Sequence, residues 1–143
     1  MKKTILLFSI PIGIIIFSVC GLLITKNTTN RLIKQENEYY EYYFEKEIYG
    51  TDVISIINKA INENEQNDIQ KNEKGHYIEN KENSIKIEVK MLITNKTYPM
   101  EEIYNNDITK FVENFNFIKF KCINIEYHKN TGRISKITFE ELE

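Results

Sequence analysis

Few residues in this 143-residue chain are of the types that carry out catalysis or bind metals. His76 and His128 have no second histidine or cysteine at ligand spacing, whereas a zinc site needs three or four converging ligands. Cys122 lies in an apolar stretch, which favours an inert buried thiol over a nucleophile paired with a distant histidine. We therefore predict no catalytic residues, no metal site and no cofactor site, with both histidines exposed at strand ends.

Glutamates alternate with tyrosines between residues 36 and 47. Paired carboxylates could serve acid–base chemistry, but on an amphipathic helix this pattern is more typical of a solvated face. Tyrosine is favoured at protein interfaces, and one core face of a helix cannot bury four neighbouring tyrosines. We therefore expect these tyrosines to pack against the sheet with ordinary exposure of the remainder, and a partner surface is the functional alternative. The candidate residues are Tyr39, Tyr40, Tyr42 and Tyr43.

An uncharged, apolar run covers residues 4–25, on the N-terminal side of these tyrosines. As a helix the run spans about 33 Å, compared with about 30 Å of bilayer hydrocarbon. We expect a transmembrane anchor at 4–25 after a short tail at 1–3. A cleaved signal peptide and a lipid attached at Cys20 are the alternatives. However, the run exceeds the apolar core of a signal peptide, about 7–15 residues, and Val19 is not the small residue expected before a lipid-bearing cysteine.

Charge and cysteine content limit the possible partners of the remaining chain. After Lys26 there are 16 basic and 21 acidic residues, a net charge of −5, so the basic face of a nucleic-acid-binding protein is not expected. A single cysteine in this part excludes an intradomain disulfide. Positive charges flank both ends of the run almost equally, and the short tail with Lys2 and Lys3 favours an extracytoplasmic C-terminal domain in the cell membrane.

Hydrophobic periodicity predicts a single α+β domain over 26–143. Apolar residues at spacings of three and four indicate helices, whereas alternation from Ile85 to Ile93 indicates a strand with one wet face. A change of parity at Cys122–Ile123 indicates a β-bulge, and residues 130–132 form a turn signal. The predicted helices are about 28–49, 51–64, 99–105 and 107–115, and the predicted strands are about 76–80, 84–93, 117–128 and 133–140.

These elements predict a transmembrane helix that continues as an amphipathic helix. That helix and a second helix should pack on an antiparallel sheet of three or four strands. Gly50 is expected to stop the first helix, because glycine accepts the left-handed conformation found at helix ends. Asp107 is expected to cap the last helix.

Three stretches, residues 49–61, 83–90 and 118–128, resemble a group of short, membrane-anchored, uncharacterised proteins of AT-rich Gram-positive bacteria. The resemblance implies anchoring and no particular activity. The helix-then-sheet architecture is also similar to type IV pilins and pseudopilins, which implies assembly through the N-terminal helix. The chain departs from the pilin pattern because Lys3 leads directly into Thr4, without a Gly-Phe junction and without a glutamate five residues into the helix.

The expected function is that of a non-enzymatic, single-pass membrane protein with an extracytoplasmic interaction or envelope domain. A pilin-like or pseudopilin-like assembly subunit is the alternative. The expected partners are the lipid bilayer and either another protein or further copies of this chain, with no nucleic acid and no metal.

Overall fold

The computed structural model describes residues 2–105 and 108–143, and the side chains of residues 17–105 and 109–143. The chain divides into two compact units, Met1–Gln35 and Glu36–Glu143. The first helix, α1, covers Lys2–Glu41. Within the described part, no helix is both long enough and apolar enough to cross a membrane. The predicted anchor at 4–25 lies partly outside that part, because the side chains of residues 4–16 are not among those described.

The second unit is an α+β fold, as predicted, but its sheet is larger than predicted. Its elements are β1 (Glu47–Tyr49), α2 (Gly50–Gln66), β2 (Lys86–Met91), β3 (Lys96–Pro99), α3 (Met100–Asn105), α4 (Ile108–Phe115), β4 (Lys119–Tyr127) and β5 (Ile134–Glu141). The five strands are ordered β1-β4-β5-β2-β3; β2 and β5 are parallel, whereas the other neighbours are antiparallel. The prediction of three or four antiparallel strands is therefore wrong.

The parallel pair explains why the sheet could not be predicted from local patterns. Ile87 lies opposite Ile137, and Val89 lies opposite Phe139. A parallel pair needs a long crossover connection, and here β3, α3, α4 and β4 make that connection. Alternation along a strand identifies the buried face but not the neighbouring strand, so the pairing of β2 with β5 was not evident.

The core lies between one face of the sheet and the helices. Strand β2 alternates between half-buried and buried residues, which follows from the two-residue period of a strand. Helix α2 covers this face with side chains at helical spacing. Burying each large aliphatic side chain stabilises the fold by about 1.5–3 kcal/mol. The fully buried apolar residues of α2 are Val53, Ile56, Ile57, Ala60 and Ile61.

The first helix ends at Glu41, whereas the helical pattern predicted an end near residue 49. The chain reverses at Glu45, whose φ is 59° and whose N–H donates to the Cys122 carbonyl at 3.0 Å. Ile48 then pairs with Phe120 of β4 and is 8% exposed. Pairing with a distant strand satisfies backbone groups and buries Ile48, and so it overrides the local helical periodicity.

Gly50 is the first residue of α2 rather than the stop of α1. Its φ is not positive, so the left-handed conformation predicted for it is absent. A Cβ at this position would lie 2.1 Å from the carbonyl oxygen of Phe115. Glycine is therefore required here by the close approach of two backbone segments, not by backbone conformation.

Two further differences concern short elements. Residues 76–80 contain an isolated bridge from Tyr77 to Lys71 and no named strand. Strand β3, which the sequence did not predict, is a four-residue strand beside β2 that ends at Pro99. Proline has no backbone N–H to donate, and it is tolerated there because one side of an edge strand has no neighbouring strand to hydrogen-bond. Asp107, the predicted cap of the last helix, lies outside the described residues.

The hairpin of β4 and β5 agrees with the sequence patterns. Its register shifts between Cys122 and Asn124, which confirms the predicted β-bulge. The connecting turn contains Gly132, whose φ of 71° is accessible to glycine at little cost. The bulge returns Cys122 and Ile125 to the core side of the same strand, opposite Phe139 and Ile137.

Candidate interaction surface

Four tyrosines form a continuous aromatic cluster at the end of α1 and just beyond it. Tyr39 makes edge-on contacts with Tyr40 and Tyr43, with ring centroids 5.1 and 5.6 Å apart. Tyr42 makes a similar contact with Tyr43 at 5.1 Å. Edge-to-face packing is the favoured geometry for aromatic pairs and adds about 0.5–1.5 kcal/mol to burial alone. The structure thus brings all four sequence-predicted residues into one cluster.

The four tyrosines differ in exposure, and this separates their roles. Tyr40 is 2% exposed and belongs to the core, whereas Tyr42 is 63% exposed. Tyr39 and Tyr43 are half-buried and pack against the core. Only Tyr42 of the four exposes most of its surface to solvent, and the half-buried Tyr39 and Tyr43 lie in the same cluster.

Tyr40 ties the end of α1 to α2. Its hydroxyl donates a 2.6 Å hydrogen bond to Glu63, and Glu63 also pairs with Lys59. The Lys59 ammonium lies 4.9 Å from the ring centre of Tyr39 and 5.7 Å from that of Tyr40. A cation over aromatic faces is attracted by the ring quadrupole. Glu63 and Lys59 therefore hold two of the four rings in place.

Burial of the cluster changes the ionisation of its phenols. Burial, followed by the hydrogen bond with Tyr43, raises the pKa of Tyr39 to about 12. Burial and the neighbouring carboxylate of Glu63 raise the pKa of Tyr40 still further. Both phenols therefore remain protonated and uncharged at neutral pH.

The exposed ring of Tyr42 is covered on one side by a positive charge. The Lys46 ammonium lies 3.2 Å from the ring centre of Tyr42. The turn that follows α1 places Lys46 there, since its N–H donates to the Tyr43 carbonyl at 3.1 Å. The result is an aromatic surface with a lysine at its margin, a combination that suits a partner carrying apolar and acidic groups.

The end of α1 is fastened to the β4–β5 hairpin through contacts that the sequence did not predict. The Asn37 amide donates to the Gly132 carbonyl at 2.8 Å and accepts from the Ile134 N–H at 3.1 Å. The Tyr127 hydroxyl donates to Glu41 at 2.9 Å. These partners are more than 80 residues apart in the chain. No local pattern could have indicated them.

An open polar groove of about 510 Å³ lies beside the cluster, between Glu36 and α2. Amide and carboxylate side chains line it, including Asn58, Asn62 and Glu63. Among the described residues, the Oδ1 atom of Asn58 is buried without a hydrogen-bond partner. The exposed Asn62 side chain, by contrast, can donate and accept hydrogen bonds in this groove.

A second polar cleft, of about 430 Å³, lies beside β2 and includes Lys86 and Glu88 in its lining. The sequence did not predict it. Lys86 bridges Glu79 and Glu88 at 3.2 Å each, and Lys136 lies 3.0 Å from Glu88. Burial alone would raise the pKa of Glu88, but hydrogen bonds from Lys136 and Lys86 hold the pKa below its usual value. Glu101 accepts the Tyr77 N–H at 2.9 Å. These carboxylates are thus engaged in structural pairs.

The histidines and the cysteine occupy structural positions. His128 is 8% exposed, so the prediction of an exposed histidine is wrong there; its ring Nε2 donates to the Ser84 carbonyl at 2.8 Å. His76 is half-buried at the second polar cleft. Cys122 is fully buried, and burial raises the pKa of its thiol to about 11. The described residues contain no group of three or more potential metal ligands.

In comparisons with known proteins, no family model, no curated protein and no solved structure matches the chain.

Proposed function

We propose that this chain is a single-pass membrane protein whose second unit, Glu36–Glu143, is a non-enzymatic interaction domain outside the cytoplasmic membrane. The observation that carries the proposal is the apolar surface of α1 where its side chains are described. Phe17 is 81% exposed, Leu22 71% and Ile24 68%. These residues continue the uncharged run that starts at residue 4. Contact of such a surface with water is unfavourable in free energy. Each of these side chains stabilises the inserted helix by about 0.3–0.6 kcal/mol.

The interaction role is supported by the tyrosine cluster on the folded unit. Tyr42 and the adjoining edges of Tyr39 and Tyr43 form an aromatic surface next to a polar groove. The rings are held by Tyr40, whose hydroxyl is bonded to Glu63. A rigid, amphipathic aromatic surface loses little conformational entropy on binding and so suits a protein partner.

Membrane retention of the full-length chain tests the anchor. Wild type should stay in membranes washed with alkaline carbonate, whereas Ile14→Arg combined with Ile15→Arg should be released, because both positions lie at the centre of the run and each arginine there costs about 2.5–3.5 kcal/mol. Thr28→Arg combined with Asn30→Arg is the matched control, since it adds the same charge outside the run. A wild-type chain that fractionates as soluble, at its unprocessed mass and without detergent, would contradict the proposal.

Protease treatment of intact protoplasts tests the orientation. An extracytoplasmic domain should be digested from outside, whereas a cytoplasmic domain should be digested only after the protoplasts are lysed. Protection before lysis would reverse the proposed topology.

The surface itself is tested by Tyr42→Ala. Because Tyr42 is exposed, this change should leave the melting temperature within about 2 °C of wild type while weakening partner capture. Ile78→Ala, at an exposed side chain outside the cluster, is the control. Unfolding of the Tyr42→Ala variant would assign Tyr42 to packing instead.

A pilin-like or pseudopilin-like assembly subunit is the second proposal. It is favoured by the length of α1, which covers 40 residues, and by the packing of Tyr40 at its end into the sheet unit. This function predicts removal of a leader, seen as a fall in mass, and recovery of the protein in sheared filaments. Full-length protein retained in membranes supports the tether instead.

A further inference from the structure

The second polar cleft, beside β2, contains a buried carboxylate that the proposed function does not use. Glu101, in the first turn of α3, is 5% exposed and lines this cleft of about 430 Å³. Its Oε1 atom accepts the Tyr77 N–H, which is a neutral donor. In the part of the chain that the structure describes, Glu101 has no ion pair and no further hydrogen bond.

The other charges of the cleft are paired with one another. Lys86 contacts both Glu79 and Glu88, and Lys136 contacts Glu88. Two ammonium groups thus offset two carboxylates, and Glu101 is the third carboxylate of the lining. A buried charge without an opposite charge is costly, so a positively charged ligand would stabilise this site.

The second oxygen of Glu101 is accessible from the cleft. Among the described residues, Asn58 Oδ1 is the side-chain polar atom that is both shielded from solvent and without a hydrogen-bond partner. Glu101 Oε2 has no partner in the same residues, and it therefore keeps contact with solvent. Because Glu101 lines the cleft, a ligand in the cleft can reach this oxygen.

The size and lining of the cleft favour a small organic cation over a metal ion. The volume lies within the range of about 300–1,000 Å³ that is typical of small-molecule sites. Metal ions such as Ca²⁺ need several converging oxygen ligands, and the described residues contain no group of three or more potential metal ligands. Tyr77, Ile85 and Pro99 add apolar lining beside Glu101. An alkylammonium ion suits this combination, because it joins a cation with N–H donors to an apolar stem.

We propose that this cleft binds a small alkylammonium ion, with Glu101 accepting a hydrogen bond from the ammonium group. The methylene groups of the ligand then contact the apolar lining at Tyr77 and Pro99. Thr97, exposed on the edge strand β3, supplies a hydroxyl that can accept a further hydrogen bond. None of these residues belongs to the tyrosine cluster, so the proposal is independent of the interaction surface.

Isothermal titration calorimetry of the full-length chain in a non-ionic detergent, with diaminobutane as the probe, tests the proposal. Wild type should bind diaminobutane saturably and should not bind butanediol, which has the same stem without the charge. Glu101→Gln should raise the dissociation constant about tenfold or more, because a neutral amide replaces the charged acceptor while keeping an oxygen for the Tyr77 N–H. Glu102→Gln removes the same charge at the next residue of α3, outside the lining of the cleft, and should bind as wild type does. The proposal is overturned if wild type does not bind the diamine, binds the diol equally well, or matches Glu101→Gln in affinity.

Nuclear magnetic resonance of the wild-type chain locates the bound ion and does not depend on the folding of a variant. On addition of diaminobutane, the amide signals of Tyr77 and Glu101 should shift most, because the Tyr77 N–H donates to the carboxylate that binds the ion. The amide signal of Tyr42, which is outside the lining of the cleft, should stay unchanged. Shifts concentrated away from the cleft would place the diamine at another site and contradict the proposal.

Discussion

Asn64 and Ile85 are joined by two hydrogen bonds that imitate the pairing of two strands. The Asn64 amide donates to the Ile85 carbonyl at 2.8 Å, and the Ile85 N–H donates to Asn64 Oδ1 at 2.8 Å. Asn64 is 0% exposed. If its amide were lost, water could not replace it as the partner of the Ile85 carbonyl and N–H. This contact fixes the start of β2 against the last turn of α2.

Replacing Asn64 with alanine should destabilise the protein by about 2–4 kcal/mol, because two backbone groups would be left buried and unpaired. The measurement is the free energy of unfolding from urea titration. Asn62→Ala, at an exposed position two residues earlier on α2, is the matched control and should change stability by less than about 0.5 kcal/mol. Equal losses for the two variants would remove the structural role assigned to the Asn64 amide.

Gly50→Ala should destabilise the fold by about 1–3 kcal/mol or more, since the added Cβ would lie 2.1 Å from the Phe115 carbonyl oxygen and must displace backbone. The comparison is Gly21→Ala, where nothing lies within 4 Å of the added atom. Thermal unfolding measures both variants. A Gly50→Ala protein that melts as wild type does would show that the segments need not approach so closely.

The stability of the protein should fall as the pH rises above about 10. Burial and Glu63 raise the pKa of Tyr40 in the folded state above the unfolded value of about 10. The folded state therefore holds this proton more tightly, and the stability it contributes is complete below pH 10 and is lost progressively above it. Tyr40→Phe should reduce this alkaline loss and should cost about 1.5–3 kcal/mol at neutral pH, because a hydrogen bond to a charged group is removed.

The measurement is the free energy of unfolding of wild type and Tyr40→Phe between pH 8 and 11. Tyr42→Phe is the control, since Tyr42 is 63% exposed and its change should leave both the neutral stability and the alkaline loss as in wild type. Parallel pH curves for wild type and Tyr40→Phe would exclude Tyr40 as the titrating group.

Cys122 should not react with iodoacetamide in the folded protein at pH 8. It is fully buried, and with a thiol pKa of about 11 little thiolate is present to react. In a Cys20→Ser background, labelling followed by mass spectrometry should modify Cys122 only after unfolding. Asn130→Cys adds an exposed thiol to the same background and should be modified at once. Rapid labelling of Cys122 without denaturant would mean that the sheet opens locally near the bulge.

The sequence indicated which tyrosines to examine but not the part that each ring plays. The 39, 40, 42 and 43 spacing placed rings on both sides of a helix, whereas in the structure all four rings come together. Which ring is buried depends on Glu63 and Lys59 of α2, because those side chains hold Tyr40 and Tyr39. Contacts between α1 and α2 could not be predicted from the pattern of α1 alone.

Local patterns determined the features whose causes are local. The buried face of α2, the alternation along β2, the bulge at Cys122 and the turn at Gly132 follow from side-chain period and backbone freedom within a few residues. The uncharged, apolar character of the run at 4–25 is likewise a property of composition.

Only the tertiary structure decided the partners of these elements. The parallel pairing of Ile87 with Ile137, the space that requires Gly50, and the edge strand made by Ile48 each join segments that are distant in the chain. Such contacts form because the summed burial and hydrogen bonding of the whole unit exceed local preference. A local pattern records which side of an element is apolar, whereas the partner on that side is determined by the complete fold.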